Sequence, residues 1–350
     1  MTAAKILPSY GLQKEAVTVE KYGTGLINST WKVSWRDEDF ILQRVNNAVF
    51  EDPESIAHNT KLIADYLKEN CPGYRFIAPI TASDGADMIY LKEDGFFRLF
   101  PFVKGSHSID VVETPEQAFE AATQFGRFTK LLSGFNVQGL KTTIPSFHDL
   151  SLRYDQFLTA LENGNSERKH EAAHLITTLL LQASIVNDYK LLKKDPQFKI
   201  RVTHHDTKIS NVLFDGAGKG LCVIDLDTVM PGYFISDVGD MMRTYLSPVS
   251  EEEQDFDKIE VRDDFYKAIV QGYYGEMKEE LTEQEKGSFF YAGTFMIYMQ
   301  ALRFLTDHLN NDIYYGAKYP GHNLVRAQNQ TILLQRLMEK EGALATYCSF

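Results

Sequence analysis

The sequence predicts an α+β protein with two lobes, an N-terminal antiparallel sheet lobe and a mainly helical C-terminal lobe. Residues 18–103 contain short runs of β-branched and aromatic residues that are separated by turns and interrupted by one helix. Residues 114–192 and 262–310 instead carry capping residues and apolar positions at helical spacing. We therefore expect a first lobe of residues 1–102 and a second lobe of residues 103–350.

The first lobe is predicted from strand signals and one clear helix start. Residues 18–50 contain the first strands, two of which are joined by the glycine-containing stretch 22–33. Asp52 is a good N-cap, and Pro53 suits the first helical position. Further strands are predicted at 76–79, 88–91 and 96–103.

The second lobe is predicted from helix signals. Thr114 and Gln117 form a capping box, and they open a helix that runs to about Leu132. Its predicted buried positions are Phe119, Ala122, Phe125 and Phe128. Further helices are predicted over 150–161, 170–192, 262–283 and 284–310.

Composition limits the classes of partner and compartment. The chain has 350 residues, and its net charge of −12 argues against nucleic acid or an anionic membrane as the main partner. Cys71, Cys222 and Cys348 are far apart and odd in number, which predicts reduced thiols in a cytoplasmic protein. Residues 1–20 lack the apolar core of a secretory signal. The apolar stretch 289–305 is short and contains polar residues, so it predicts a buried helix.

Three oxygen-bearing side chains converge in the predicted second lobe. The runs 211–214 and 221–225 predict two strands joined by a glycine-rich turn, which would place Asn211 opposite Asp225. Asp206 precedes that end of the hairpin by one short loop. Oxygen ligands of this kind suit Mg²⁺, and a further carboxylate can accept the proton of a hydroxyl nucleophile. The arrangement therefore predicts phosphoryl transfer.

This segment has two alternative interpretations besides a phosphoryl-transfer site. A zinc cluster at His204, His205 and Asp206 is disfavoured, because no Cys or His follows at ligand spacing. An ordinary polar loop between strands is the other alternative. The order His204-x-Asp206, then Asn211, then Ile-Asp225 resembles the catalytic loop and metal-binding segment of the kinase superfamily, in the spacing of the aminoglycoside phosphotransferases.

The resemblance spans nearly the whole chain. At the level of families, the sequence resembles the N-acetylhexosamine 1-kinases of the aminoglycoside phosphotransferase and choline kinase superfamily. The segments that carry this resemblance are 24–28, 41–46, 205–213, 223–232, 303–307 and 319–324. It implies a two-lobed protein-kinase-like fold, and phosphorylation of the C1 hydroxyl of N-acetylglucosamine or N-acetylgalactosamine by ATP and Mg²⁺.

The resemblance also implies roles in the catalytic segment. Asp206 is the implied base, and Lys208 steadies the γ-phosphate of ATP. Asn211 and Asp225 hold Mg²⁺, while Asp237 braces the catalytic loop through its backbone.

Nucleotide contacts are expected from the first lobe. Glycines between strands let backbone N–H groups approach phosphate, which makes Gly23, Gly25 and Asn28 candidates, although a plain hairpin loop has the same pattern. Arg44 is the candidate cation for the phosphates. It and Gln43 point to opposite faces of their strand, so only one of them can face the nucleotide, and a surface arginine is the alternative.

Two further nucleotide contacts and one ion pair are expected in this lobe. Glu54, near the start of the helix, is the candidate partner of the phosphate-binding cation. The stretch that leads to the second lobe would offer backbone groups to adenine, with Phe100 and Val103 as contacts.

Sugar contacts are expected from the tail. Arg303 and Tyr314 belong to segments dense in aromatic and hydrogen-bonding groups, which suit the ring faces and hydroxyls of a sugar, although ordinary helix capping gives the same composition. Asp227 is a candidate substrate contact or second metal ligand, or else a capping or solvated residue. His205 occupies a position where relatives often carry a small or amide residue.

Two competing functions remain open from sequence. One is a related kinase of another small alcohol, such as an aminoglycoside, choline, homoserine or methylthioribose. The other is a pseudokinase that binds nucleotide without turnover, against which the intact Asp206, Asn211 and Asp225 speak. The oligomeric state is left open.

Overall fold

The computed structural model describes residues 3–12, 17–23 and 27–348, and the chain divides into two compact units. The first unit comprises residues 1–108, 131–145 and 211–231. The second comprises residues 109–130, 146–210 and 232–350. The predicted α+β class is confirmed, since an antiparallel sheet dominates the first unit and helices dominate the second. The lobe boundary after residue 102 stays a prediction.

The first unit is built on a five-stranded antiparallel sheet. Its strands are β1 (Val17–Lys21), β2 (Ser29–Trp35), β3 (Glu38–Arg44), β4 (Ile89–Leu91) and β5 (Gly95–Pro101), and they lie in the order β1-β2-β3-β5-β4. Leu42 and Leu99 lie on the face that packs against Ile6, at the end of the short helix α1 (Ala3–Ile6). Because successive residues of a strand point to opposite faces, Gln43 and Arg98 lie on the other face.

Helix α2 (Pro53–Asn70) follows the first three strands, as predicted. The side chain of Asp52 accepts a hydrogen bond from the Ser55 backbone at 3.3 Å, which confirms the N-cap. The predicted strand over 76–79 is wrong, because these residues form no strand. Pro79 has no N–H to donate to a ladder, and the residue after it, Ile80, donates to the carbonyl of Leu99.

A β-hairpin of β7 (Val212–Phe214) and β8 (Gly220–Val223) also belongs to the first unit. Val212 pairs with Val223, and the Ile224 N–H donates to the Asn211 carbonyl at 2.8 Å. The predicted register is therefore wrong by one residue, since Asn211 lies opposite Ile224 rather than Asp225. Asn211 ends a turn of 3₁₀ helix, so the ladder begins only at Val212.

The second unit is mainly helical. Its helices are α3 (Pro115–Leu131), α4 (Leu150–Asn163), α5 (Ser166–Glu171), α6 (Ala173–Leu181), α7 (Ser184–Leu192), α8 (Phe234–Tyr245), α9 (Asp263–Met277), α10 (Glu283–Lys286), α11 (Phe289–Leu309), α12 (His322–Glu339) and α13 (Glu341–Leu344). The strands β6 (Arg201–Thr203) and β9 (Met230–Gly232) flank the hairpin in sequence. Helix α11 packs against α4, α8 and α12, which confirms the buried helix predicted at 289–305. None of the described helices is long and apolar enough to cross a membrane.

Helix α3 begins at the predicted capping box. The Gln117 N–H donates to the Thr114 hydroxyl at 3.3 Å, and the Gln117 side chain accepts from the Thr114 N–H at 3.2 Å. The predicted burial of Phe119 is wrong, since this side chain is 40% exposed. The buried face of α3 is instead centred on alanines and on the other two predicted phenylalanines, namely Ala118, Ala121, Ala122, Phe125 and Phe128.

All three cysteines are free thiols, as predicted. Cys222 is buried in β8, and burial raises the pKa of its thiol to about 11. This thiol is therefore protonated at neutral pH.

Candidate active site

The loop after β6 carries the predicted base, and helix α8 fixes its backbone. The carboxylate of Asp237, in the first turn of α8, accepts hydrogen bonds from the backbone N–H groups of His204 (3.1 Å) and His205 (2.8 Å). These bonds confirm Asp237 as the brace of this loop. Burial raises the pKa of Asp237 to about 7, although both hydrogen bonds act in the opposite direction.

The same helix holds the loop one residue after Asp206. The Thr207 N–H donates to Oδ2 of Asp240 at 2.8 Å, and the Tyr245 hydroxyl donates to the Thr207 carbonyl at 2.5 Å. Asp240 is itself oriented by Arg243, whose Nε and Nη2 donate to Oδ1 at 3.1 and 2.9 Å. Residues 204–207 are therefore fixed on both sides of Asp206.

Asp206 and Lys208 form an ion pair within the second unit. Nζ of Lys208 lies 3.0 Å from Oδ1 of Asp206, and the two side chains are 49% and 20% exposed. Burial lowers the pKa of Lys208, but the carboxylates of Asp206 and Asp240 outweigh it, and the net pKa is raised. The ammonium is charged at neutral pH, and both members of the pair reach the surface of their unit.

His205 adopts an unusual backbone conformation. Its φ is +66°, in the left-handed region that is uncommon for residues with a β-carbon. Its Nδ1 lies 3.1 Å from the Thr203 carbonyl, which can only accept, so Nδ1 carries the proton. The imidazole also contacts the ring of His148, with 5.3 Å between ring centres. His205 thus fills a buried space next to the predicted base, Asp206, rather than reaching into solvent.

The predicted metal ligands lie at one end of the β7–β8 hairpin in the first unit. Asn211 is buried, whereas Asp225 is exposed and has a φ of +60°. In the part of the chain that the structure describes, no three His, Cys, Asp or Glu side chains form a metal-binding group. Mg²⁺ needs only one or two protein oxygens beside water and phosphate, so one amide and one carboxylate are a fitting donor set.

Asp227 is buried, so the solvated role considered for it is wrong. Oδ1 of Asp227 lies 2.5 Å from Nη2 of Arg98, and both side chains are at most 3% exposed. Oδ2 accepts a hydrogen bond from Nδ2 of Asn28 at 2.7 Å. Both oxygens are thus engaged by groups of the first unit, and the role of Asp227 toward substrate stays a prediction.

The predicted phosphate-binding residues lie in different places in the first unit. Gly23 has a φ of +75°, which only glycine adopts freely, and Gly25 lies outside the described residues. Gln43 shares the sheet face of Arg98 and accepts its Nη2–H at 2.9 Å. Arg44 lies on the opposite face, where it lines a cavity of about 500 Å³. Its role toward phosphate stays a prediction.

The remaining expectations for the first unit concern Glu54 and the end of β5. Glu54 is exposed in the first turn of α2, and within the described ranges no ion pair joins it to Arg44. The ring of Phe100 lies 5.0 Å from the guanidinium carbon of Arg98. The carbonyl of Val103 accepts from the Ser106 N–H at 3.2 Å. Adenine contacts by Phe100 and Val103 stay predictions.

The structure brings the two predicted sugar contacts together in the second unit. Nη2 of Arg303 lies 3.5 Å from the Tyr314 hydroxyl, and the guanidinium also lies 5.6 Å from the ring centre of Phe147. Tyr314 is 69% exposed. Its turn is held by Asp307, whose carboxylate accepts from the backbone N–H groups of Tyr314 (2.7 Å) and Tyr315 (2.9 Å).

Sequence reasoning missed Arg98. It lies on β5 within the run Phe-Phe-Arg-Leu-Phe, and its side chain is 2% exposed. An arginine inside an apolar strand is a recognisable signal, because a buried guanidinium requires a partner. That signal indicates a buried ion pair, although it does not identify Asp227 as the partner.

Comparison with known proteins identifies a family profile and several structures of similar fold. Residues 18–279 match the profile of the phosphotransferase enzyme family. An aminoglycoside phosphotransferase from Alicyclobacillus acidocaldarius is 13% identical, with a TM-score of 0.66 over 98% of this chain and 95% of that one. Amicoumacin kinase hAmiN, solved with AMP-PNP, Ca²⁺ and Ami, is 15% identical, with a TM-score of 0.63 over 96% and 93%.

A third structure of similar fold comes from another kinase family. A choline/ethanolamine kinase family protein from Mesorhizobium loti is 16% identical, with a TM-score of 0.59 over 100% of this chain and 99% of that one. At these identities the likeness concerns the fold, and it confirms the kinase-like architecture expected from the sequence.

Proposed function

The chain belongs to the phosphotransferase enzyme family, and on that basis we propose that it transfers the γ-phosphoryl group of ATP to the anomeric hydroxyl of an N-acetylhexosamine. The acceptor would be N-acetylglucosamine or N-acetylgalactosamine, and the product its 1-phosphate. The observation that carries the proposal is the fixed loop 204–208. The backbone N–H groups of His205 and Thr207 donate to the carboxylates of Asp237 and Asp240, which immobilises the loop, and the loop presents Asp206 beside Lys208.

Asp206 would orient the acceptor and take its proton. Phosphoryl transfer requires little covalent chemistry from the protein, so alignment of the attacking oxygen and stabilisation of charge are the main tasks. A partly exposed carboxylate on an immobilised backbone meets the first requirement. An anomeric hydroxyl is more acidic than an ordinary alcohol, so a carboxylate is a sufficient base. Lys208 would contribute positive charge at the transferred phosphoryl group.

Mg²⁺ fits the donor set of Asn211 and Asp225. When bound there, it would neutralise charge on the phosphates of ATP. Asn211 is buried, and its backbone carbonyl accepts from the Ile224 N–H, which would hold this ligand in place before any ion arrives. Nucleotide contacts are assigned to Gly23, Gly25, Asn28, Arg44, Phe100 and Val103.

The sugar assignment rests on Arg303 and Tyr314. A guanidinium donates several hydrogen bonds in a fixed geometry, and it is held here beside the ring of Phe147 and the hydroxyl of Tyr314. Sugar hydroxyls suit such donors, and the face of an exposed tyrosine suits a sugar ring. The positive charge of Arg303 disfavours a cationic acceptor such as choline or an aminoglycoside.

The proposal is tested by assaying ATP consumption with a panel of sugars, amines and other alcohols, followed by ³¹P NMR of the product. We expect an anomeric phosphate from N-acetylhexosamines, and its loss in Asp206→Asn with ATP binding retained. Asp188→Asn, at an exposed position of α7, is the matched control and should behave as wild type. Near-normal turnover by Asp206→Asn would remove Asp206 from the role of base.

A second candidate is a kinase of another small alcohol. The loop 204–208 and the pair Asn211 and Asp225 serve any hydroxyl acceptor equally well, so they support this candidate as much as the first. Turnover with another alcohol, and none with N-acetylhexosamines, would keep these roles and discard the sugar. ATP binding without any product would favour the pseudokinase alternative.

A further inference from the structure

Arg98 carries a positive charge in the interior of the first unit. Its side chain is 2% exposed, and its Nε and Nη2 donate to Oε1 of Gln43 at 3.2 and 2.9 Å. Nη2 also lies 2.5 Å from Oδ1 of Asp227. A buried charge is costly unless it is paired, so these contacts hold the guanidinium and the carboxylate in one arrangement.

Asp227 connects Arg98 to the end of the glycine-containing loop. Oδ2 of Asp227 accepts from Nδ2 of Asn28 at 2.7 Å, and Oδ1 of Asn28 accepts the backbone N–H of Asn46 at 3.1 Å. The ion pair therefore joins three segments that are far apart in sequence: β5, the residues before β2, and the turn 226–228. All of them belong to the first unit.

Asp225 immediately precedes this turn and has a constrained backbone. Its φ of +60° lies in the left-handed region, which is disfavoured for a residue with a β-carbon and requires support from its surroundings. On one side, the Ile224 N–H is bonded to the Asn211 carbonyl at 2.8 Å. On the other side, Asp227 is held by Arg98. The direction of the Asp225 carboxylate therefore depends on both anchors.

We propose that Arg98 is a positioning residue for the metal-binding turn. Through Asp227, it holds the backbone of Asp225 in the conformation in which Asp225 and Asn211 bind Mg²⁺ together with the phosphates of ATP. The inference rests on the proposed function, and it assigns Asp227 to this ion pair rather than to the metal or the acceptor. Arg44 cannot substitute for Arg98, because it lies on the opposite face of the sheet.

The test requires variants that remain folded. Arg98→Met alone leaves the Asp227 carboxylate buried and unpaired, which can unfold the protein. The double variant Arg98→Met/Asp227→Leu removes both charges, a replacement that folded proteins commonly tolerate. Lys61→Met is the control, because it breaks the exposed ion pair of Lys61 and Asp65 on α2 in the same unit. Thermal unfolding establishes that each variant is folded.

ATP binding is then measured by calorimetry, with Mg²⁺ titrated and in EDTA. In the double variant, the Mg²⁺ concentration that gives half of the Mg²⁺-dependent gain in ATP affinity should rise by about 10- to 100-fold, as expected when a group that orients a metal ligand is lost. The ATP dissociation constant in EDTA should change by less than about threefold, because no metal is bound under that condition. Lys61→Met should match wild type in both measurements.

Two outcomes would overturn the proposal. One is a folded double variant with the Mg²⁺ requirement of wild type, which would leave the pair a structural role only. The other is an equal loss of ATP binding with and without Mg²⁺. The titration needs no acceptor, so a failure to phosphorylate any sugar or alcohol would refute the proposed function and leave this result standing.

Discussion

Oδ1 of Asp237 lies 2.8 Å from the backbone nitrogen of His205, a residue whose φ is +66°. A left-handed conformation costs a non-glycine residue on the order of 1–3 kcal/mol, and it persists only where the surroundings impose it. The hydrogen bond imposes it from the first turn of α8. The direction of the next side chain, that of Asp206, is therefore set by Asp237.

Asp237→Asn should weaken this support while keeping the shape of the side chain. Its amide oxygen can accept from one of the two N–H groups, but its NH₂ group would face the other donor. We expect a loss of about 1–3 kcal/mol in unfolding free energy and a fall in kcat that exceeds the change in either KM. Urea unfolding and steady-state kinetics measure these effects, with Asp188→Asn as control. An unchanged kcat would contradict the bracing role.

The raised pKa of Asp237 predicts that the loss of stability in this variant depends on pH. The pKa of Asp237 is raised from 3.8 to about 7 in the folded state, so between these values the folded protein binds more protons than the unfolded chain. The contribution of Asp237 to stability therefore falls as pH rises through that window. The difference in unfolding free energy between wild type and Asp237→Asn should shrink from about pH 4 to about pH 7 and stay constant at higher pH, as this linkage requires. A constant difference would show that Asp237 does not titrate there.

Gly232 and His205 are predicted to form a compensating pair within the second unit. A β-carbon at Gly232 would lie 2.5 Å from Nε2 of His205 and 3.0 Å from Oγ1 of Thr203. Gly232→Ala should therefore cost about 1–3 kcal/mol through overpacking and should lower kcat. Adding His205→Asn should restore part of both, because asparagine is smaller and tolerates the left-handed conformation. Thermal unfolding and kinetics test the pair, and no recovery in the double variant would contradict it.

Asp307 is predicted to act on the acceptor through the turn that carries Tyr314. Its carboxylate accepts from the N–H groups of Tyr314 and Tyr315 and from Nδ2 of Asn323, the last at 3.0 Å. Asp307→Asn would turn an NH₂ group toward at least one of these donors, at about 1–3 kcal/mol. We expect a raised KM for sugar and an unchanged KM for ATP. Asp264→Asn, exposed on α9, serves as control, and a sugar KM equal to that of wild type would refute this role.

The helices and their starts could be predicted because their signals are local. Asp52 and the Thr114–Gln117 box lie within four residues of the groups they cap, and both caps form as predicted. The glycine-rich turn predicts the hairpin, but the predicted register is wrong by one residue, since the 3₁₀ turn that ends at Asn211 delays the start of the ladder. A short helical turn of this kind has no distinctive sequence pattern.

The candidate site was predictable only where its residues are close in sequence. Asp206, Lys208, Asn211 and Asp225 follow one another within one segment, so their order alone suggested their chemistry. The pairing of Arg98 with Gln43 spans 55 residues and depends on strand register, and Asp227 lies still further along the chain. Hydrophobic pattern and spacing carry no information about which distant polar groups share a buried face.

Arg303→Ala is expected to separate acceptor binding from nucleotide binding. The guanidinium donates to Oε1 of Gln300 at 3.3 Å and lies beside Tyr314, so its own position is held before the acceptor binds. Loss of a charged hydrogen bond to substrate costs about 1.5–3 kcal/mol, which corresponds to a rise of about 10- to 150-fold in the KM for sugar with little change in the KM for ATP. Arg303→Lys should recover only part of this loss, because an ammonium lacks the planar fork of a guanidinium. Arg336→Ala, on α12, is the control, and an unchanged sugar KM in Arg303→Ala would refute the assignment of this region to the acceptor.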